Sequence, residues 1–173
     1  MAWDTLTVGY ALDNPAGTML CASFGAHPAF RWPLREGTAK AAHVLEFSLP
    51  EPAPIRRLAD GLLLPDRFDS PIEASTLRLD ESLFATDALI LDQVASPSVR
   101  FSAPGGSSVE VMWRGFRELG IWSHMGGDFL CVEPWCGQAD PIGFNGDFAD
   151  KPRLLHLPPG GRAEAELRVR LIG

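Results

Sequence analysis

The chain has 173 residues and a net charge of −7, with 46% hydrophobic and 21% charged residues. This is the composition of an ordinary globular domain with a sizeable core, and it predicts one domain over residues 1–173. It excludes the basic stripe that grips nucleic acid and any apolar run near the ~20 residues that span a bilayer.

The N-terminal stretch MAWDTLTVGYALDN lacks a basic segment followed by an apolar one, so it reads as the start of a strand. A cytoplasmic location is therefore expected, with a neutral small molecule or another protein as partner. Cys21, Cys131 and Cys136 are odd in number and form no CxxC pair. They are expected to be reduced and structural, not a disulfide framework or a zinc site.

Period-two alternation dominates the chain. In LTVGYALDN, Leu6, Val8, Tyr10 and Leu12 point one way, against Thr7, Gly9 and Ala11. That is the pattern of a half-buried strand. The segment SFGAHPAFRWPL follows. Pro28 biases His27 towards an extended backbone, and Phe24, Phe30 and Trp32 surround it with aromatic bulk. His27 is a candidate proton donor to a sugar ring oxygen, and equally a hydrogen-bonded structural histidine. Arg31 in the same segment is a candidate phosphate contact. HVLEFSLP reads as a further strand, whereas PIRRLADGLL is the one stretch predicted to hold a helical turn or two.

STLRLD, ALILDQV, SVRFSA, SSVEVMW, LGIWS and DFLCVEPW are also predicted strands, most bounded by Gly, Pro, Asp or Ser. APGGSS (103–108) and LPPGG (157–161) are turns. Asp87, in LFATDALIL, opens an apolar strand as a cap, or as an acceptor for sugar hydroxyls. His43, His124 and His156 read as structural. AELRVRLIG closes the chain with Ala165, Leu167, Val169 and Leu171 alternating with Glu166, Arg168 and Arg170. The fold class predicted is all-β, of sandwich type.

The run FLCVEPW carries the most chemistry. As a strand it puts Phe129, Cys131, Glu133 and Trp135 on one face and Leu130, Val132 and Pro134 on the other. A carboxylate in such company is expensive to bury without a partner, and desolvation raises its pKa towards that of a neutral-pH base or acid. Pro134 is expected to end the ladder, leaving Glu133 at a strand end. The plainer reading is an edge-strand glutamate facing solvent or a basic partner. Of the aromatics Trp113, Phe116, Trp122 and Trp135, most are expected in the core. Trp135, beside Glu133, is the candidate ligand contact. No nucleophile elbow, dinucleotide fingerprint, P-loop or metal-ligand motif is visible.

The segments GAHPAFRWPL, LDESLFATDALIL, LGIWSHMGGDFLCVEPWCGQAD and DKPRLLHLPPGG, in that order, resemble aldose 1-epimerase-like proteins of the LacX-type branch. The resemblance implies a galactose mutarotase-like β-supersandwich and interconversion of the α and β anomers of an aldose, without metal or organic cofactor. It implies Glu133 as general base, His27 as general acid and Asp87 as a sugar-orienting group. Members are usually longer. They carry an N-terminal sheet region with a further active-site histidine and a substrate-binding arginine, neither of which has a counterpart here. The resemblance thus covers a C-terminal portion of the family fold lacking the N-terminal part. Sheet edges left bare by that difference predict a homo-oligomer formed by strand pairing. A non-catalytic carbohydrate-binding module and a structural or assembly protein remain open beside the isomerase.

Overall fold

The structure, a computed structural model, describes residues 4–173, so the first three residues of the N-terminal stretch lie outside it. The chain is all-β. Its strands are β1 (Thr5–Asp13), β2 (Leu20–Ala22), β3 (Phe24–Gly25), β4 (Ala29–Arg31), β5 (Val44–Phe47), β6 (Leu58–Ala59), β7 (Leu62–Leu63), β8 (Thr76–Arg78), β9 (Leu89–Leu91), β10 (Ser98–Ser102), β11 (Ser108–Arg114), β12 (Glu118–Trp122), β13 (Phe129–Cys136), β14 (Leu155–Leu157) and β15 (Arg162–Ile172). Helix among the described residues is confined to short 3₁₀ turns at Lys40–Ala42, Glu81–Phe84 and Phe148–Asp150.

Two antiparallel sheets form the body. One runs β1-β15-β11-β10-β5-β8; the other runs β13-β12-β9, with β3 and β4 sharing the free side of β13. Their inner faces meet in one core. Leu45, Phe47, Val99, Phe101, Val111 and Leu167 come from the first sheet, and Leu89, Leu119, Ile121, Leu130 and Val132 from the second. Each fully buried side chain of this size contributes about 1.5–3 kcal/mol, so the alternation in the sequence is what holds the sheets together.

Three expectations meet corrections. PIRRLADGLL forms no helical turn: Leu58–Ala59 and Leu62–Leu63 pair as a hairpin around Asp60 and Gly61, both at positive φ (51° and 77°). Asp-Gly is the dipeptide that a type I′ turn prefers, and it overrides the weak helical composition. Pro134 does not end the ladder. It sits in register opposite Leu119, and β13 continues to Cys136. Its carbonyl accepts from Ala26 N at 3.0 Å, on the side where β3 has ended and β4 has not begun, so the missing N–H falls in a gap and breaks no ladder bond. Finally, the apolar alternation outruns the core at one end of the β1–β15 pair: Val8, Tyr10 and Leu12 pack inward, but Leu6 and Leu171 are 61% and 60% exposed.

Candidate functional site

The smaller sheet buries one face in the sandwich and turns the other outward. Register decides which residues the outer face carries, because directly opposed residues share a face. Glu133 lies opposite Gly120, Trp135 opposite Glu118 and Gly25, and Cys131 opposite Trp122 and Ala29. Gly120 in turn lies opposite Ile90. The face-sharing expected along FLCVEPW is therefore present. Glu133 stands in the middle of the sheet, with an apolar floor of Leu63, Ala88 and Ile90 packed against Trp122 and Trp135.

His27 comes from the three-residue break between β3 and β4. The loop is pinned by two backbone bonds, Ala26 N to Pro134 O and Val132 N to Pro28 O. It presents the imidazole to the carboxylate, with Nε2 3.3 Å from Glu133 Oε1. The two partners differ in setting: the His27 side chain is 63% exposed, that of Glu133 only 5%. Burial pushes the Glu133 carboxyl above its ordinary range. The His27 charge and hydrogen bonding from the Trp135 and Cys131 side chains pull it back, and the Asp87 carboxylate adds to the rise. Beside it, burial and the Glu133 charge push the Cys131 thiol up to about 12, so it stays protonated.

Asp87 reaches the same mouth from another element. It follows the 3₁₀ turn Glu81–Phe84 and takes a left-handed backbone, φ 68°, with its Oδ1 accepting from Ala88 N at 2.7 Å. Arg57 holds this corner: its Nη1 donates to Leu83 O at 2.8 Å and Asp87 O at 3.1 Å. Trp135 is half-buried and lies across two glycines. An added Cβ at Gly120 would stand 2.4 Å from its ring, and one at Gly25 2.5 Å from it. Both close approaches require glycine. Arg31 is not gathered with the others. It is exposed and lies opposite Phe129, four residues along the strand from Glu133.

Sequence reasoning missed Trp122, placed there in the core with most of the aromatics. It is half-buried on the outward face, 6.4 Å edge-to-face from His27. Trp113 and Phe116 are buried as expected. Arg57 and Cys131 were also passed over as site residues. A glycine inside the strand LGIWS was the available signal for Gly120. The register that sets Trp122 beside Cys131 is a long-range property. The three cysteines are free. His43 is buried, accepting from Leu34 N at 3.1 Å, as a structural histidine should.

The arrangement joins a buried, pKa-raised carboxylate to an exposed imidazole, between an apolar floor and two indoles. It can pass a proton in either direction beside a flat, partly apolar ligand. A hollow of about 980 Å³ between residues 34–38, 103–109 and 171–173 holds none of these groups.

No family model matches the chain. It is 36% identical over 140 residues to the plasmid and chromosomal forms of protein LacX of Lactococcus lactis subsp. lactis, covering 78% of this chain and 47% of theirs. The chain thus spans about half the length of the curated relatives it matches. In structure it is similar to a galactose mutarotase-related enzyme from Lactobacillus acidophilus, with TM-score 0.85 and 24% identity over 100% of this chain and 59% of that one. A galactose mutarotase-like protein from Lactobacillus casei gives TM-score 0.84 and 26% identity over 97% and 59%.

Proposed function

We propose, from the premise that the chain belongs to the aldose 1-epimerase (galactose mutarotase-like) family on its LacX-type branch, that it binds an aldose over Glu133 and interconverts its anomers. One observation carries this reading: an imidazole and a buried carboxylate stand 3.3 Å apart above a floor of apolar side chains. The C1 hydroxyl and the ring oxygen of a pyranose are bonded to the same carbon, so the groups that serve them must stand side by side.

Glu133 takes the proton from the C1 hydroxyl while protonated His27 gives its proton to the ring oxygen. The C1–O bond of the ring breaks, leaving the open-chain aldehyde. Rotation about C1–C2 presents the other carbonyl face. The ring hydroxyl attacks, its proton returns to His27, and Glu133 returns a proton to the C1 oxygen. Burial keeps Glu133 basic enough to accept a hydroxyl proton. Exposure lets His27 exchange with water between turnovers. Trp122 and Trp135 supply flat surfaces for the C–H face of the ring. Asp87 is held at the rim to accept from a hydroxyl, and Arg31 meets only a substituent that projects along the strand. No metal or organic cofactor enters these steps.

A second reading, a carbohydrate-binding module without turnover, rests on the same face, where Trp122 and Trp135 can stack a sugar ring without any proton transfer. β1 is an edge strand with no partner on its outer side among the described residues, and exposed Leu6 lies next to its first residue, Thr5. Self-association through that edge in a cytoplasmic setting is part of the proposal. A monomer in sedimentation at micromolar concentration would sink it.

Polarimetry on freshly dissolved α-glucose and α-galactose tests the reaction, with Glu133→Gln as control. Acceleration by the wild type but not by the variant is expected, and equal buffer-level rates reject turnover. Calorimetric titration then separates the rest: sugar binding without turnover selects the binding module, and a flat titration selects an assembly role.

A further inference from the structure

We infer that Cys131, Glu133 and His27 form a binding site for a borderline-soft divalent cation of the zinc class. Their three ligand atoms all lie within 4.8 Å of one another. A tetrahedral zinc ion with bonds of 2.0–2.3 Å holds its ligands about 3.3–3.8 Å apart. The His27–Glu133 separation already meets that distance, at 3.3 Å.

The location of the thiol is the second argument. A cysteine that merely fills volume belongs on the core face of β13, with Leu130 and Val132. Cys131 is instead on the opposite face, 1% exposed, with its sulfur within 4.8 Å of a Glu133 carboxylate oxygen. One sulfur, one imidazole nitrogen and one carboxylate oxygen make a donor set that suits zinc, cobalt or nickel and not the all-oxygen preference of magnesium or calcium. Sequence spacing hides the set, because Cys131 and Glu133 are two residues apart on a strand and His27 joins from a different element. The His27 side chain, 63% exposed, is the side from which a cation would enter.

On binding, the Cys131 S–H bond breaks, a sulfur–metal bond forms and the proton leaves to solvent. The metal also takes a lone pair from Glu133 and one from His27. An occupied site therefore has no free acid–base pair, and cation and sugar exclude each other. That last consequence rests on the proposed sugar chemistry, whereas the site itself does not.

Cobalt(II) added to the metal-free protein reads the site without any activity measurement. A sulfur-to-cobalt charge-transfer band saturating at one equivalent, and removed by one equivalent of zinc, is expected. The band should persist in Cys21→Ser, vanish in Cys131→Ser, and need at least tenfold more cobalt in His27→Ala. A wild-type titration without the band overturns the inference, and so does an unchanged band in Cys131→Ser. Circular dichroism of each variant establishes that it is folded before titration. A failed cobalt titration would leave polarimetry of the metal-free wild type unaffected, so the two readings fail separately.

Discussion

Glu133 and Glu118 stand on the same outward face of the smaller sheet, one row apart: Glu133 opposite Gly120, and Glu118 opposite Trp135 next to it. Both are buried, 4% and 0% exposed, and burial raises the pKa of both. Their partners separate them. Glu118 is paired with Arg153 Nε and accepts from Gly137 N at 3.2 Å, while Arg153 Nη2 also donates to Asp92 O at 2.9 Å. Glu133 faces an exposed imidazole and a thiol. A guanidinium keeps its proton in a protein, whereas an imidazole nitrogen can either donate or accept one. The same strand pair thus carries a carboxylate held by a guanidinium at one row and, at the next, the carboxylate–imidazole pair on which the proposed reaction rests. Burial alone does not tell the two carboxylates apart; their neighbours do.

The sharpest break in that comparison is a swap of the two carboxylates for amides. Glu133→Gln is expected to lower turnover by about 10²–10⁴-fold, the usual contribution of a positioned acid or base. It should not lower thermal stability. The folded-state pKa of Glu133 is raised, so its ionised form opposes folding: the penalty is absent below the unfolded carboxylate pKa and grows as pH rises towards the folded value. Melting temperature measured from pH 4 to 8 should therefore show a smaller loss with rising pH in the variant. Glu118→Gln should leave turnover per folded molecule little changed. Burial raises its pKa as well, so removing the charge is not itself costly; the weakened hydrogen bonds to the part-exposed Arg153 and to Gly137 N are expected to cost about 1 kcal/mol, read as a slightly lower midpoint in urea.

Two smaller changes sharpen the account between those rows. Gly120→Ala puts a Cβ 2.4 Å from the Trp135 ring, so the indole must move. An expected cost of about 1–3 kcal/mol accompanies a shifted tryptophan fluorescence maximum and weaker sugar binding. Trp122→Ala removes one flat wall while leaving the Glu133–His27 pair in place. A loss of about 0.5–1.5 kcal/mol in sugar affinity is expected, up to tenfold in KM with kcat nearly constant. A fall in kcat of the same size as the rise in KM would place Trp122 in the chemistry itself.

Much of this was legible in the chain. The alternation in LTVGYALDN and AELRVRLIG foretold β1 and β15, and the parity of FLCVEPW already put Cys131, Glu133 and Trp135 together. His27 was flagged by its own segment. What the sequence did not carry was register. Whether Trp122 meets Cys131, and whether Glu118 lies beside Trp135 or beside Glu133, depends on how two strands align, which local composition does not encode. Pro134 misled for a related reason: a missing N–H matters only if a neighbour strand stands there to receive it. Arg57 escaped because its role is to hold the Asp87 corner through carbonyls, a contact that no spacing announces. Arg31 looked close to His27 along the chain, but in a strand four residues is a long way.

Magnetisation transfer between the α- and β-anomeric protons of an equilibrated aldose, with the two carboxylate variants side by side, tests the central claim most directly. Exchange above the buffer rate is expected with wild type and with folded Glu118→Gln, and none above buffer with Glu133→Gln. Equal exchange in the two variants would contradict the account.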